Sequence, residues 1–313
     1  MKRQYAAELI EGDRVNDYFL VTRKDLRPRQ NGGKFLGLVL RDKSGEIGAV
    51  AWDSAEMLSR LFEVGDVVAV RGSVHIYQGR PQVRVESIAA LNPGDYDLAD
   101  LRGASQDIVE DQRRYLEKLR SVEHPELKRL LALFLDDADF MELFCRASAG
   151  KKWHHEYAGG LLRHCLEMTC LAETLCELFP ELNRDLMVAA IFFHDIGKVR
   201  EMAHDLVVDY TDEGKLLGHL HLGARMLEDA ISRISGFPEE LRLRLVHCVL
   251  SHHGELQNGS PVTPRTAEAV ALHFIDNLDA QTEAFLRIIR ETRSRGQDWS
   301  DYQPLVDRVI WAR

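Results

Sequence analysis

The sequence lacks the features that would assign it to a membrane or to the secreted proteins. None of its apolar runs approaches the roughly 20 residues that a helix needs to span a bilayer, and no apolar segment follows the charged N-terminal residues. Neither a transmembrane helix nor a signal peptide is therefore predicted. The five cysteines include no Cys-x-x-Cys pair and are odd in number, which argues against a disulfide framework and a zinc finger. We expect a cytoplasmic protein with reduced thiols and no membrane partner.

The sequence is also short of positive charge, which nucleic-acid-binding proteins usually carry. Its 40 Lys and Arg against 50 Asp and Glu give a net charge of −10. The deficit is uneven, because residues 1–92 hold 14 basic and 12 acidic residues, whereas the remainder holds 26 and 38. The N-terminal part, at +2, can tolerate a polyanion, and the remainder, at −12, suits carboxylates that bind metal.

The N-terminal part alternates apolar and polar residues in the manner of β-strands. A short helix is predicted between the third and fourth strands, and a polar, basic loop between the first and second. Five strands with a helix in this position are typical of an OB-fold barrel. The predicted strands cover residues 15–22, 35–40, 47–52, 67–76 and 82–88, the loop covers 23–34, and the helix covers 54–62.

OB barrels bind single-stranded nucleic acid by stacking bases on aromatic side chains and holding phosphates with basic ones. Two other interpretations stay open. Phe35 and Trp52 could pack inside the barrel, because aromatic residues in strands are usually packing residues, and the barrel could bind protein instead. The candidate nucleic-acid-binding residues are Phe35, Trp52, Tyr77, Lys34 and Arg80, with further basic candidates at Arg27, Arg29, Arg71 and Arg84.

Beyond the barrel the pattern becomes helical. We predict a multidomain protein in which an all-β OB domain, residues 1–92, is followed by a linker, 93–104, and an all-α domain, 105–295. No role is assigned to the tail at 296–313. The predicted helices cover 108–120, 125–135, 140–147, 155–178, 187–194, 213–234, 238–252 and 264–293.

The apolar helix at 187–193 ends in the pair His194 and Asp195. A buried helix end is a costly place for an imidazole and a carboxylate unless a cation compensates for their desolvation. Asp276 would likewise need a compensating positive charge, because its neighbours Phe274 and Ile275 are apolar. Further histidines that could converge on Asp195 are His164, His219, His252 and His253.

This order of a His, a His-Asp pair, further histidines and a helical Asp resembles the HD superfamily of metal-dependent phosphohydrolases. Four segments are in addition similar to the YhaM-type 3′–5′ exoribonucleases, which join an N-terminal OB domain to a C-terminal HD domain. Arg163, at a position expected to be acidic, and the tail depart from that pattern. The similar segments are 154–164 (HHEYAGGLLRH), 252–254 (HHG), 259–261 (GSP) and 275–280 (IDNLDA).

The resemblance implies two divalent ions that share Asp195. Nitrogen and oxygen donors without thiolate favour Mn²⁺ or Co²⁺, with Fe or Zn²⁺ as alternatives. Lys198 is expected to neutralise the scissile phosphate, and His155 either to contact the substrate beside Gly159-Gly160 or to cap the long helix. The first ion would take His164, His194, Asp195 and Asp276, and the second Asp195, His219, His252 and His253.

The function implied by the resemblance is hydrolysis of single-stranded RNA from its 3′ end to nucleoside 5′-monophosphates. Single-stranded DNA is an alternative substrate, because residue types do not reveal a contact to the 2′-hydroxyl. Two other functions stay open: a nucleotide phosphohydrolase with a regulatory OB domain, and an RNA-binding protein without catalysis. The sequence is compatible with a homo-oligomer.

Overall fold

The computed structural model describes residues 2–29, 32–101, 108–150, 155, 157–203 and 209–313. These residues divide into two compact units, one reaching to residue 101 and the other starting at residue 108.

The first unit is a closed barrel of five strands in the order β1-β2-β3-β5-β4. Strands β3 and β5 pair in parallel, and the other neighbours are antiparallel. A helix between the third and fourth strands completes the OB fold that the sequence predicts. The elements are β1 (Arg14–Pro28), β2 (Lys34–Asp42), β3 (Gly45–Ala51), α1 (Ala55–Leu58), β4 (Val67–Tyr77) and β5 (Arg80–Ala90).

Alternation along β2 and β3 separates the barrel core from its outer face. Leu36, Leu38 and Leu40 point inward and pack with Ile47 and Ala49 of β3. The residues between them consequently face outward, so that the outer face of these two strands is available for binding.

Strand β1 is longer than the sequence predicts. It continues to Pro28 and pairs with β2 from Lys24↔Leu38 to Pro28↔Lys34, after an irregularity between Val21 and Arg23. The loop predicted at 23–34 is therefore wrong over most of its length. Main-chain pairing with β2 extends the strand although its side chains there are largely polar. The helix predicted at 54–62 is also shorter, because Arg60 and Leu61 form i→i+3 turns after Leu58.

The described part of the predicted linker packs on the barrel. Asp100 accepts hydrogen bonds from the hydroxyls of Tyr18 (2.7 Å) and Tyr5 (3.0 Å) and from Lys43 Nζ (3.1 Å). Leu101 is fully buried and packs with Tyr18, Leu20 and Val67. These contacts extend the first unit to residue 101, and the rest of the predicted linker, 102–104, lies outside the described residues.

The second unit is helical, as predicted, apart from a short antiparallel pair, β6 (Met202–Ala203) and β7 (Asp209–Tyr210). Two-residue strands are too short to show alternation in a sequence. The helices are α2 (Ile108–Arg120), α3 (Pro125–Leu135), α4 (Ala138–Arg146), α5 (Gly160–Leu178), α6 (Arg184–His194), α7 (Lys198–Glu201), α8 (Asp212–Ser232), α9 (Glu239–Ser251) and α10 (Ala267–Ser294).

Helix α6 is the central element of this unit. Every residue from Leu186 to His194 is buried, as expected of a helix that is apolar on all sides. The side chain of Asn183 caps its N-terminus by accepting a hydrogen bond from the Leu186 N–H. The helix therefore delivers His194 and Asp195 into the interior of the domain.

The tail after α10 is folded. Ser300 N–H donates to the Ile310 carbonyl (2.9 Å), and Trp299 pairs with Trp311 across the same hairpin. Arg293 of α10 donates to the carbonyl of Ala312 (2.6 Å), which fixes the tail to the end of the helix. No helix in the described part of the chain has the length and apolarity that crossing a bilayer requires.

Candidate metal centre and nucleic-acid surface

The carboxylate of Asp195 lies between two groups of imidazoles. Its Oδ2 atom is 3.3 Å from His194 Nε2 and 2.6 Å from Lys198 Nζ. Its Oδ1 atom is 3.5 Å from His219 Nε2 and 3.6 Å from His252 Nε2. Because Asp195 ends α6 and is only 2% exposed, the rigid core fixes the direction of each oxygen.

The first group consists of His164 on α5, His194 on α6 and Asp276 on α10. Their potential ligand atoms lie within 4.8 Å of one another, and His164 Nε2 is 3.2 Å from Asp276 Oδ1. These are the residues that the resemblance implies for the first ion, together with Asp195.

The second group consists of His219 on α8 with His252 and His253 after α9. Their ligand atoms also lie within 4.8 Å of one another, and the Nε2 atoms of His219 and His253 are 3.3 Å apart. Helix α8 breaks at Gly218, whose φ of 71° and ψ of 156° are not helical. This break separates His219 from the preceding turn, and the group corresponds to the second implied ligand set.

Each of the five imidazoles is anchored through its Nδ1 atom to a protein oxygen. Carbonyl and carboxylate oxygens only accept, so a neutral ring must carry its proton on Nδ1 and present the Nε2 lone pair. This is the usual arrangement of histidines that bind metals. The Nδ1 partners are Asp279 Oδ2 for His164 (2.6 Å), Ile191 O for His194 (2.7 Å), Glu201 Oε1 for His219 (3.0 Å), Val249 O for His252 (2.8 Å) and Asn258 O for His253 (3.0 Å).

Two atoms at the centre of the cluster fit a bound cation. Asp195 Oδ1 and His194 Nε2 are buried, and within the described residues neither has a hydrogen-bond partner. A buried polar atom without a partner is costly, and a divalent ion would satisfy both. The donor set of imidazole nitrogens and carboxylate oxygens thus fits a divalent metal.

The electrostatics of the cluster favour the same conclusion. Burial lowers the pKa of His252 to about 4, so this ring is a neutral potential ligand at pH 7. Burial opposes protonation of His164 too, but Asp276 and Asp279 raise its pKa to about 10, so without an ion this ring carries the positive charge beside the carboxylates that a bound ion would replace. Burial would raise the pKa of Asp195, yet Lys198 and His194 hold it well below its usual range. The carboxylates therefore stay ionised and provide negative charge for a cation to neutralise.

An open cavity of about 290 Å³ lies beside the cluster. Besides the predicted Asp195, Lys198, His252, His253 and Asp276, the structure brings further polar residues to its wall. His273 and Asn277 lie three residues before and one residue after the predicted ligand Asp276, a hint that the sequence did offer, whereas Asn258 is placed only by tertiary packing. The additional lining residues are Asn258, His273, Asn277 and Ala280.

Lys198, for which the resemblance implies a contact with the scissile phosphate, lines the cavity. It is only 8% exposed, and its Nζ also donates to the carbonyl of Ala149 (2.5 Å). The ammonium is therefore held rigidly beside Asp195 Oδ2.

The structure does not favour the substrate contact predicted for His155. This residue is 2% exposed, and its Nε2 lies 3.1 Å from Asp279, the carboxylate bound to Nδ1 of His164. The ring thus lies on the side of His164 opposite the Nε2 atom that faces the cluster. Helix capping is not observed either, because α5 begins at Gly160. His154 and Glu156 of the same segment lie outside the described residues.

Gly159 and Gly160, close to His155 in the sequence, allow close packing of the chain. The structure does not favour the substrate approach predicted at these glycines. A Cβ atom on Gly160 would lie 1.9 Å from the His155 carbonyl oxygen, and one on Gly159 would lie 2.5 Å from Ile108 Cδ1. Gly159 also adopts φ +84°, a conformation that other residues rarely take. The chain can follow this path only with glycine at both positions.

Asp279 and Glu201 are the functional candidates that the sequence reasoning missed. Both are buried carboxylates, at 7% and 8% exposure. The sequence did contain an indication of Asp279, because this residue lies one helical turn after the predicted ligand Asp276 and therefore on the same face of the helix. The sequence contains no such indication of Glu201, because only the tertiary structure brings this residue next to His219.

The outer face of the barrel carries an aromatic groove of about 290 Å³. The rings of Phe35 and Trp52 are 5.0 Å apart, and the Arg29 guanidinium lies 5.1 Å from the Trp52 ring. Tyr77 lines the same groove and is 54% exposed. Phe35 and Trp52 therefore lie outside the core, where bases could stack on them. Gly37 and Gly48 contribute no side chain to the groove that they line.

The two basic candidates lie at the ends of the strands. Lys34 forms an ion pair with Glu56 (2.8 Å), and Arg80 is exposed opposite Tyr77 in the β4–β5 hairpin. Arg23 and Arg27 line the groove, and each donates to Asp25.

Comparison with known proteins finds two families in this chain. Residues 161–281 match the HD domain, and residues 20–91 match an OB-fold nucleic-acid-binding domain. A 3′–5′ exoribonuclease YhaM from Geobacillus sp. is 34% identical over 284 residues, covering 90% of this chain and 87% of the relative. The HD match implies dependence on a divalent metal, and the OB match identifies the barrel as a nucleic-acid-binding module.

Among solved structures, the second OB-fold domain of replication protein A from Methanococcus maripaludis is 21% identical, with a TM-score of 0.25. The match covers 31% of this chain and 100% of that domain. An SSB domain from Synechococcus sp. is 16% identical, with a TM-score of 0.23, and that match covers 26% of this chain and 94% of the SSB domain. These scores are too low to bear on function.

Proposed function

The chain belongs to the family of the YhaM-type 3′–5′ exoribonucleases, and from this premise we propose that it hydrolyses single-stranded RNA from the 3′ end and releases nucleoside 5′-monophosphates. One observation carries the proposal: the two oxygens of Asp195 face separate groups of imidazoles, as a carboxylate shared by two metal ions would. The union of an HD domain with an OB-fold module supports a polynucleotide substrate.

The proposed ligand sets follow the two groups of side chains. His164, His194 and Asp276 would hold one ion, His219, His252 and His253 would hold the other, and Asp195 would contribute to both. Mn²⁺ or Co²⁺ suits these donors best, and Fe or Zn²⁺ is the alternative. When bound, such ions act as Lewis acids on phosphate oxygens and lower the pKa of water toward about 7.

The protein's own groups at the cavity bind and orient the scissile phosphate. The Lys198 ammonium offsets charge on the phosphate oxygens, and its hydrogen bond to the Ala149 carbonyl keeps it in place. Asn258, His273 and Asn277 offer polar atoms at the cavity wall, where they can orient the terminal nucleotide. Burial of the cluster strengthens these electrostatic interactions.

The barrel holds the strand in this proposal. Phe35, Trp52 and Tyr77 stack successive bases, and Arg29, beside Trp52, adds a cation–π contact. Lys34 and Arg80 would hold phosphates at the two ends of the groove. The exposed aromatic surface supports this role, because a mononucleotide substrate would need no such groove.

The test uses one oligoribonucleotide labelled at either its 3′ or its 5′ end, with Mn²⁺ and full-length protein. We expect the 3′ label to appear at once as a mononucleotide, and the 5′ label as a ladder that shortens one nucleotide at a time. A parallel reaction with the DNA of the same sequence measures the preference for RNA.

Two outcomes would favour the alternatives. Hydrolysis of free nucleotides with an intact oligoribonucleotide would identify a nucleotide phosphohydrolase with a regulatory barrel. Binding of the oligoribonucleotide without cleavage at any tested metal would identify a non-catalytic RNA-binding protein. A 5′-labelled strand cut at internal positions would mean endonucleolytic action.

A further inference from the structure

Two of the five anchors behind the imidazoles are carboxylates, and each belongs to a different metal group. His194, His252 and His253 donate to carbonyl oxygens, which no side-chain substitution can remove. His164 and His219 instead donate to Asp279 and Glu201. The first group thus has one carboxylate behind it and the second group has another.

Asp279 fixes the ring of His164 within a chain of hydrogen bonds. Its Oδ2 atom accepts from His164 Nδ1 (2.6 Å) and from His155 Nε2 (3.1 Å). His155 Nδ1 in turn lies 2.9 Å from the Tyr157 hydroxyl, which donates to it if both rings are neutral. A single assignment of protons satisfies the whole chain and leaves His164 Nε2 directed at Asp276.

Glu201 fixes both the ring of His219 and the main chain that carries it. Its Oε1 atom accepts from His219 Nδ1 (3.0 Å) and from the His219 backbone N–H (3.0 Å). Helix α8 is broken at the preceding residue, Gly218, whose φ and ψ are not helical. Glu201 therefore caps the helix segment that begins at the break and orients its first imidazole.

We propose that Asp279 and Glu201 are paired positioning residues, one for each metal site, that hold His164 and His219 in the tautomer and orientation that bind the ions. A carboxylate behind a ligating imidazole also makes the ring more basic than a carbonyl does, and loss of such a partner typically lowers metal affinity about 10–100-fold. This inference rests on the two-metal assignment of the proposed function.

The two carboxylates are expected to act on different ions. Asp279→Asn keeps the shape of the side chain but removes its charge, and should weaken only the ion held by His164, His194 and Asp276. Glu201→Gln should weaken only the ion held by His219, His252 and His253. Each variant should lower one of two binding constants about 10–100-fold and leave the other unchanged.

The experiment is calorimetric titration of full-length metal-free protein with MnCl₂. Glu268→Gln is the matched control, because Glu268 is 4% exposed and accepts hydrogen bonds from Arg244 (2.8 Å) and the Asn183 N–H (3.2 Å), and it makes no hydrogen bond to the imidazoles in the described part of the chain. Circular dichroism of each metal-free variant verifies its fold. Equal binding constants for wild type, Asp279→Asn and Glu201→Gln would overturn the inference.

A double-variant cycle tests the assignment to separate sites. In a His219→Ala background, Glu201→Gln should cause no further loss, since the ring it orients is gone. Asp279→Asn should still weaken the remaining ion about 10–100-fold. Additional loss from Glu201→Gln in that background would contradict the proposed pairing.

The design separates failure of this inference from failure of the proposed function. Wild-type protein that binds no Mn²⁺ would refute the metal assignment itself, whereas wild-type protein with two ions and insensitive variants would refute only the role of the carboxylates. Because Asp279 and Glu201 lie on different helices, loss of folding in one variant leaves a decisive measurement on the other.

Discussion

At the scale of single residues, the cluster is organised by which atom of each imidazole is already occupied. All five Nδ1 atoms are engaged by protein oxygens, so the Nε2 atoms remain available to bind metal. Asp195 is the residue common to both groups, with one oxygen toward each. The most direct single-residue test therefore concerns its carboxylate.

Asp195→Ala should abolish turnover while leaving the fold and RNA binding largely intact. Even an outer-sphere partner of a metal costs about 10–100-fold when removed, so the shared ligand should cost at least about 100-fold. Cleavage of labelled oligoribonucleotide measures turnover, and a mobility-shift titration measures binding. Retention of more than a few per cent of wild-type hydrolysis would contradict the shared-ligand assignment.

Gly197→Ala should disturb the second metal group, although Gly197 is not a ligand. A Cβ atom there would lie 2.1 Å from the His219 carbonyl oxygen and 2.6 Å from the Gly223 nitrogen, and neither backbone atom can rotate away. Overpacking of this kind costs about 1–3 kcal/mol. We expect a lower Tm and weaker binding of one Mn²⁺ ion, measured by thermal unfolding and calorimetry.

The control for this substitution is Gly37→Ala in the barrel. Its added methyl group would lie 3.7 Å from its nearest neighbour, the Asp25 carbonyl oxygen, which is an ordinary contact. Unchanged metal binding in both variants would mean that the close approach of Gly197 to His219 does not position the site.

At the scale of secondary-structure elements, the alternation of side chains along β2 and β3 separates residues that pack in the barrel core from residues on its outer face. Inward residues such as Leu36 and Ile47 close the core, while the rings of Phe35 in β2 and of Trp52 just after β3 lie 5.0 Å apart on the outer face, tilted by 33°. Because successive side chains point to opposite faces, one pair of strands builds both the barrel and its binding surface.

Trp52→Ala should weaken binding of single-stranded RNA by about 1–3 kcal/mol, the usual value of one base stacked on an aromatic ring. The free energy of unfolding should change little, since Trp52 is 38% exposed. Fluorescence anisotropy of a labelled oligoribonucleotide measures the affinity. Trp299→Ala is the matched control, because Trp299 is 57% exposed and lies in the C-terminal tail. Equal losses of affinity in both variants would contradict the assignment of the groove as the RNA-binding surface.

The segment after β5 allows a test of where the barrel ends. Residues 1–101 should unfold at a Tm at least about 5 °C above that of residues 1–92, because the shorter piece loses fully buried Leu101 and the hydrogen bonds of Asp100. Burial of one large aliphatic side chain is worth about 1.5–3 kcal/mol, and 1 kcal/mol shifts Tm by about 4–8 °C in a domain of this size. Equal Tm values would place the end of the domain before residue 93.

At the scale of the whole molecule, charge is divided between two compact units. Residues 1–101 hold 14 basic and 15 acidic residues, a net charge of −1, and the remainder holds 26 and 35, a net charge of −9. The acidic remainder contains the cluster in which Asp195, Asp276 and Asp279 keep lowered pKa values despite burial. A bound cation would add to the stabilisation that Lys198 and the neighbouring imidazoles already give these carboxylates.

Removal of divalent ions should therefore abolish hydrolysis and lower thermal stability together. An ion at about 100 times its Kd stabilises the native state by about 2.7 kcal/mol, which corresponds to a Tm shift of about 5–10 °C for a unit of this size. Activity and Tm are measured after exhaustive chelation and again after addition of Mn²⁺ or Co²⁺. Hydrolysis that survives chelation would exclude the metal-dependent mechanism.

The sequence alone determined the classes of element and offered the candidate metal ligands. Period-two alternation and apolar helices are local properties, so the barrel and the helical unit could be predicted from them. A buried His-Asp pair at the end of an apolar helix likewise signals a need for compensating charge wherever it occurs, and the family resemblance supplied the remaining ligands.

Only the tertiary structure decided which side chains stand behind those ligands. Asp279 meets His164 across 115 positions of the chain, and Glu201 meets His219 across 18. The course of β1 beyond Thr22 and the docking of Leu101 also depend on partners distant in sequence. A residue's type shows which interactions it can make, but hydrogen bonds and burial depend on distances that the complete fold alone fixes.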